Sequence, residues 1–208
     1  MSMAILGLMG DYPGVGKDTV AEYLVANHGF KRFAFADLLY EELSQAYGVT
    51  VAELSRRDLK ETYQRRFALR FCKDLEFSRV FRKVHPEVWL DMPLSPRLLL
   101  RTWGTEYRRA QDEDYWARPV FTEIDATPGD SVVTDPRLEN ELNGIVKRKG
   151  KLVRVDRLSV KPEQLSDHPS EIQARAWPED YRLSNEATLT ALYAQIEHML
   201  DTLRQTAA

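Results

Sequence analysis

The segment Gly10-Asp-Tyr-Pro-Gly-Val-Gly-Lys-Asp-Thr19 is a glycine-rich turn between an apolar run, Ala4-Ile-Leu-Gly-Leu-Met9, and a stretch of helical spacing. That placement constrains the fold more than the letters do. A glycine-rich turn leading from a strand into a helix points its backbone N–H groups into a concave nest. The helix N-terminus adds partial positive charge there. Glycines let the backbone approach a ligand closely, and a lysine at the end of the turn reaches β- and γ-phosphates. Gly14, Val15, Gly16, Lys17, Asp18 and Thr19 are therefore the candidates for binding the phosphates of a nucleoside triphosphate, and Lys17 is also a catalytic candidate.

The turn departs from the usual phosphate-loop pattern at two places. Asp11 stands where the first glycine belongs, with Gly10 one place too early. Asp18 stands where a Ser or Thr usually touches magnesium, and Thr19 follows it. Either Thr19 takes part of that task or Asp18 holds the metal through water, so both are metal candidates.

Strand and helix patterns alternate at both ends of the chain. Lys17 to Asn27 has helical spacing and is stopped by Gly29. Lys31 to Ala36 alternates like a strand. Asp37 is placed to cap a helix that runs to Tyr47 and ends at Gly48. Further strands are expected at Ser131–Thr134, Lys151–Val155 and Tyr181–Ser184. An amphipathic helix is expected over Arg137–Lys149, and a final one capped by Asn185. Strands separated by helices imply right-handed crossovers and a mainly parallel sheet covered on both faces. The expected fold is α/β, a P-loop NTPase-like three-layer α/β/α domain over 1–208. A mostly helical substrate-binding or lid insertion is expected around 50–125. Ser159 to Pro178 is polar and proline-bearing and reads as a surface excursion.

Composition narrows the setting. The first apolar run is too short to span a bilayer and lacks the flanks of a signal peptide. A lone cysteine, Cys72, cannot form an internal disulfide, which fits a reducing cytoplasm. No membrane partner is expected, and the oligomeric state, a homodimer included, stays open. The net charge of −3 argues against a chain built wholly around nucleic acid. Yet Ser55 to His85 carries ten Lys/Arg against four acids, which reads equally as an anion-facing segment or a solvated helical face. The histidines show no ligand-like spacing with Cys72, so zinc is not expected.

Gly16-Lys-Asp-Thr19 after an apolar strand resembles the bacteriophage-type deoxynucleoside monophosphate kinases, a branch of the P-loop nucleoside monophosphate kinases. Four further stretches are similar to that family in order along the chain: Phe35-Ala-Asp-Leu-Leu39, Leu100-Arg-Thr-Trp-Gly-Thr-Glu-Tyr-Arg-Arg109, Asp114-Tyr-Trp116 and Val133-Thr-Asp-Pro-Arg-Leu-Glu-Asn-Glu141. His168-Pro-Ser-Glu171 and Asn185 complete the set. Residues 50–95 match least, and substrate choice is expected there.

The resemblance implies transfer of the γ-phosphoryl group of ATP, with Mg2+, to a small nucleotide acceptor, a deoxynucleoside monophosphate. It implies the host cytoplasm if the gene is a phage's. Through it Trp103, Glu106, Arg108 and Arg109 read as acceptor contacts, with Trp103 or Tyr107 able to stack on a base.

Three other residues make chemical sense unaided. Phosphoryl transfer rests on positioning and on neutralising charge. Arg137 lies past a strand's carboxyl end, where ligands bind in open α/β sheets, and is a catalytic candidate. Asp135 at the same edge reads either as a metal ligand or as a turn residue. Asp37 reads either as a helix cap or as a catalytic group that orients or deprotonates the acceptor. Two other functions stay open: a kinase acting on a hydroxymethylated base within DNA, and a nucleotide-binding module without catalysis.

Overall fold

A computed structural model of the chain describes residues 4–157, 159 and 175–206. The chain forms two compact units, one from Met1–Phe35 with Val120–Ala208 and the other from Ala36–Pro119.

The first unit is built on a five-stranded sheet in the order β2-β3-β1-β4-β5. The strands are β1 (Ile5–Met9), β2 (Lys31–Phe33), β3 (Ser131–Val133), β4 (Lys151–Asp156) and β5 (Tyr181–Ser184). Every pairing is parallel, with Leu6 opposite Val132 on one side and Lys151 on the other. All five residues of β1 are buried, as a central strand covered on both faces requires.

Alternation sends the two faces of the sheet to different helices. Leu6, Leu8, Val153, Val155 and Leu183 form one core with residues of α1 (Lys17–His28) and of the last helix, α8 (Leu189–Thr206). Gly7 points the other way. A Cβ there would lie 2.7 Å from Ile145 of α7 (Glu139–Lys147), so glycine lets that helix lie close on the opposite face. The three layers and the strand order are those of the P-loop kinase type of α/β fold.

The second unit is helical: α2 (Ala36–Tyr47), α3 (Val51–Ser55), α4 (Leu75–Val84) and α5 (Pro96–Thr102), running into a π-helix over Trp103–Arg109. Among its described residues the β pairing is a single antiparallel bridge between Gln64 and Leu94. Phe77 gathers its aromatic core, with ring centroids 4.5 Å from Trp103 and 5.6 Å from both Phe81 and Tyr107. Three short polar residues start helices. Thr50 forms a capping box with Glu53, Asp74 accepts the N–H of Phe77, and Ser95 accepts that of Leu98. The chain returns to the first unit within α6 (Ala117–Ala126). No helix of the described residues is long and apolar enough to cross a membrane.

Three local expectations need correction. Asp37 does not cap α2, because the helix already includes Ala36 and Asp37 lies in its first turn. Asn185 does not cap α8. Thr188 does, its hydroxyl accepting the N–H of Ala191, while Asn185 turns back toward the glycine-rich loop. The helix expected from Arg137 begins at Glu139. The buried Glu141 carboxylate instead accepts the N–H groups of Arg137 and Leu138 ahead of it.

Candidate functional site

The loop between β1 and α1 is held in place by contacts from distant parts of the chain. Gly16 has φ 109°, a left-handed conformation that glycine adopts without strain, and its carbonyl accepts the N–H of Val20 to start α1. A Cβ on Gly16 would lie 2.3 Å from Nδ2 of Asn185. That same amide donates to the carbonyl of Val15 at 2.9 Å. Val15 itself is buried in the core beneath the loop, so its side chain anchors and its backbone faces Asn185. The ammonium of Lys17 lies 3.5 Å from where a Cβ on Gly10 would sit, so the lysine is folded back over the loop it terminates. Asp18 is exposed in the first turn of α1, and Thr19 is half-buried beside it.

Asp11 has a partner that its sequence neighbourhood does not suggest. Its carboxylate accepts from the guanidinium of Arg154 on β4. Arg154 is 3% exposed, and it also donates to Glu179 at 3.1 Å and to the carbonyl of Trp177 at 2.8 Å. Glu179 in turn pairs with Arg182, which reaches Asp156 at 2.6 Å. Arg182 first, then Arg154, holds the Glu179 carboxyl below the usual carboxylate range.

β1 and β3 are parallel neighbours, so the loop and the turn after β3 leave the same edge of the sheet. At that edge Asp135 accepts the N–H of Phe35 through Oδ1 at 2.8 Å, and Arg137 is exposed two residues on. Among the described residues no group of three or more His, Cys, Asp or Glu forms a metal cage.

In the second unit the π-helix carries Trp103, Glu106, Arg108 and Arg109 together. A π-helical turn is rare and recurs at functional sites. Here Glu42 of α2 organises it, although Glu42 was not among the residues singled out from sequence. Its Oε2 accepts the indole N–H of Trp103 at 2.9 Å and the Nε–H of Arg108 at 2.8 Å, while Oε1 accepts the hydroxyl of Tyr115 at 2.5 Å. The Arg108 guanidinium lies 4.5 Å from the ring centroid of Tyr107, 5.1 Å from that of Tyr115 and 5.4 Å from that of Trp103.

Trp103 is 2% exposed, so its ring is chiefly a core element, and Tyr107 is buried as well. Burial, and then the hydrogen bond that its hydroxyl donates to Asp74, push the Tyr107 phenol up to about 12. Glu42, Gln45, Lys73, Asp74, Trp103 and Arg108 line an open depression of roughly 500 Å³. One carboxylate oxygen of Glu106 is buried without a hydrogen-bond partner among the described residues, a costly state that a bound donor would relieve. Asp37 is exposed at the start of α2.

Within the basic stretch four arginines pair with nearby acids, as Arg56–Asp58, Arg66–Glu53, Arg70–Asp91 and Arg79–Glu76. Cys72 is buried, and burial pushes its thiol up, as for a packed residue and not a nucleophile. His168 and Glu171 lie outside the described residues.

The sequence offered one hint of the network beneath the loop. An arginine inside the otherwise apolar Leu152-Val-Arg-Val155 must find a counter-charge once the strand is buried.

Strand order, loop and covering helices define the fold class, the P-loop kinase type of α/β fold. No protein-family model matches the chain. A protein of Acanthamoeba polyphaga mimivirus described as "Putative deoxynucleotide monophosphate kinase" is 27% identical over 211 residues, covering 98% of this chain and 99% of that protein. Among solved structures, TT1252 from Thermus thermophilus is similar with a TM-score of 0.50 at 16% identity, over 98% of this chain and 99% of that one. Shikimate kinase from Aquifex aeolicus aligns over 98% of each chain with a TM-score of 0.48 and 13% identity.

Proposed function

We propose that the chain is a nucleotide kinase that moves the γ-phosphoryl group of ATP onto a deoxynucleoside monophosphate. The observation that carries this reading is the loop from Gly10 to Lys17. It is a strand-to-helix turn with a left-handed glycine at its end and a lysine ammonium folded over it. Such a turn cradles phosphates through backbone N–H groups and a helix N-terminus. The mimivirus relative, matched over nearly the whole of both chains, supports a deoxynucleotide acceptor.

Within this reading Lys17 neutralises charge on the β- and γ-phosphates. Arg137 is assigned to the moving phosphoryl group and Asp37 to orienting the acceptor. The helical unit, through Glu106, Arg108 and Arg109, is assigned to acceptor binding, with the buried Trp103 supporting them from the core. Asp18 and Thr19 fit a magnesium ion that keeps most of its ligands as water and phosphate oxygens, and Asp135 is a further candidate to hold its waters. Magnesium bound there supplies charge neutralisation to the triphosphate.

The test is a coupled ADP-release assay across the deoxynucleoside and ribonucleoside monophosphates, with folded protein and magnesium. Turnover with at least one deoxynucleotide is expected, and Lys17→Ala should lower kcat/KM by about 10²-fold or more. Absence of turnover with every monophosphate would sink the reading.

A further inference from the structure

We propose that Arg154 is a positioning residue of the phosphate loop. It draws the Asp11 carboxylate down against β4, off the face where phosphates bind, and ties the loop to the segment that leads into β5. This rests on the kinase reading of the loop.

The argument begins with an electrostatic problem. A carboxylate at the first position of an anion cradle opposes the charge that the cradle collects. Asp11 occupies that position, six residues before Lys17. The structure answers with a guanidinium that is 3% exposed and grips the Asp11 carboxylate directly. Arg154 also donates to Glu179 and to the carbonyls of Trp177 and Arg175, so its planar fork is fixed from the far side. A buried arginine held by so many acceptors has little freedom, and the Asp11 carboxylate inherits that constraint.

The other end of the loop is fixed independently by Asn185 on the carbonyl of Val15. Both contacts join residues more than a hundred positions apart, at 143 for Asp11–Arg154 and 170 for Val15–Asn185. The loop is therefore shaped by β4 and by the segments flanking β5, as well as by its own glycines. Its departure from the glycine pattern at Asp11 is compensated by this pair.

The test compares Arg154→Gln, Asp11→Asn and the double variant with the unaltered protein. Affinity for a non-hydrolysable ATP analogue is measured by titration calorimetry, alongside KM for ATP and kcat. Arg154→Gln frees the Asp11 charge and should raise KM and Kd about tenfold, with kcat at saturation within about twofold. Adding Asp11→Asn should recover most of that loss, which mere damage to the fold would not allow. Raising the salt should shrink the defect of the single variant.

If Arg154→Gln does not fold, Arg154→Lys serves, since it keeps a buried cation and loses the fork. Its KM should rise as well. An unchanged KM in the folded Arg154 variant, or no recovery on adding Asp11→Asn, overturns the proposal while leaving the kinase reading intact. Failure of the unaltered protein to bind the analogue overturns both.

Discussion

Glu42 meets three donors with two oxygens: the Trp103 indole, the Arg108 guanidinium and the Tyr115 hydroxyl. Both members of its ion pair are well covered, with side chains 17% and 21% exposed. Removing one partner of such a pair leaves the other buried and uncompensated, which costs more than the pair itself contributes. Glu42→Ala should therefore destabilise the protein by about 3 kcal/mol, lowering the melting temperature by several degrees. A thermal melt of the variant that matches the unaltered protein would remove Glu42 from the centre of this cluster. Gly16 poses a different constraint. At φ 109° and with Asn185 2.3 Å from a would-be Cβ, Gly16→Ala cannot keep the loop's shape. Loss of ATP-analogue binding is expected together with a lower melting temperature, because alanine is strained at this φ and the neighbouring Val15 anchors the loop in the core.

At the scale of elements, two helix contacts depend on missing side chains. Gly7 of β1 admits α7, and Gly144 of α7 admits the ring of Phe121, whose atoms lie 2.2 Å from the place of a Cβ. Gly144→Ala pits two effects against each other. Replacing glycine within a helix gains about 1 kcal/mol. Forcing a methyl into a packed ring costs about 1–3 kcal/mol, and the Phe121 ring is pinned by Arg148 at 4.2 Å and by Phe35 at 5.4 Å. Overpacking should win, so the variant melts lower in a denaturation scan; a higher melting temperature would mean that the ring moves freely.

The same elements divide what was legible in the sequence from what was not. Strands and helices of the first unit followed from short-range patterns: apolar runs, helical spacing and glycines such as Gly29, whose φ of 69° ends α1. The position of the loop was legible for the same reason. The partners that shape it were not, because Arg154 and Asn185 approach Asp11 and Val15 through parallel strand order, which local pattern does not encode. The π-helix was equally hidden. Leu100 to Arg109 has ordinary helical composition, and the wider turn arises where Gly104 packs on Leu39 and its carbonyl accepts the Trp116 indole. Boundaries slipped where a side chain within a helix bonded the backbone ahead of it, as Glu141 of α7 does with Arg137 and Leu138.

For the molecule as a whole, charge enters chiefly through carboxylates held in their ionised form. The Thr50 backbone and hydroxyl, and then Arg66, lower Glu53 from the usual 4.5 to about 2. Hydrogen bonds from Tyr23 and His28 lower Glu197, joining α1 to α8. Arg56 lowers Asp58, Arg148 lowers Asp125 and Arg118 lowers Asp112. A carboxyl whose folded-state pKa is depressed contributes stability that is fully present above its unfolded-state value, and that contribution is lost as pH falls through the folded-state value. All these shifts have the same sign, so their contributions disappear together on acidification. Each exposed pair contributes little, and salt screens it further. The melting temperature should accordingly hold level on the alkaline side of about pH 5 and decline as pH falls from about 4.5 toward 2. Glu53→Gln should flatten part of that decline, since the variant has no proton to gain at this position. A scan of melting temperature against pH at low salt checks both. A decline of equal steepness in the variant would mean that the acid sensitivity originates elsewhere, with Glu179, which holds Arg154 against the glycine-rich loop, the next residue to test.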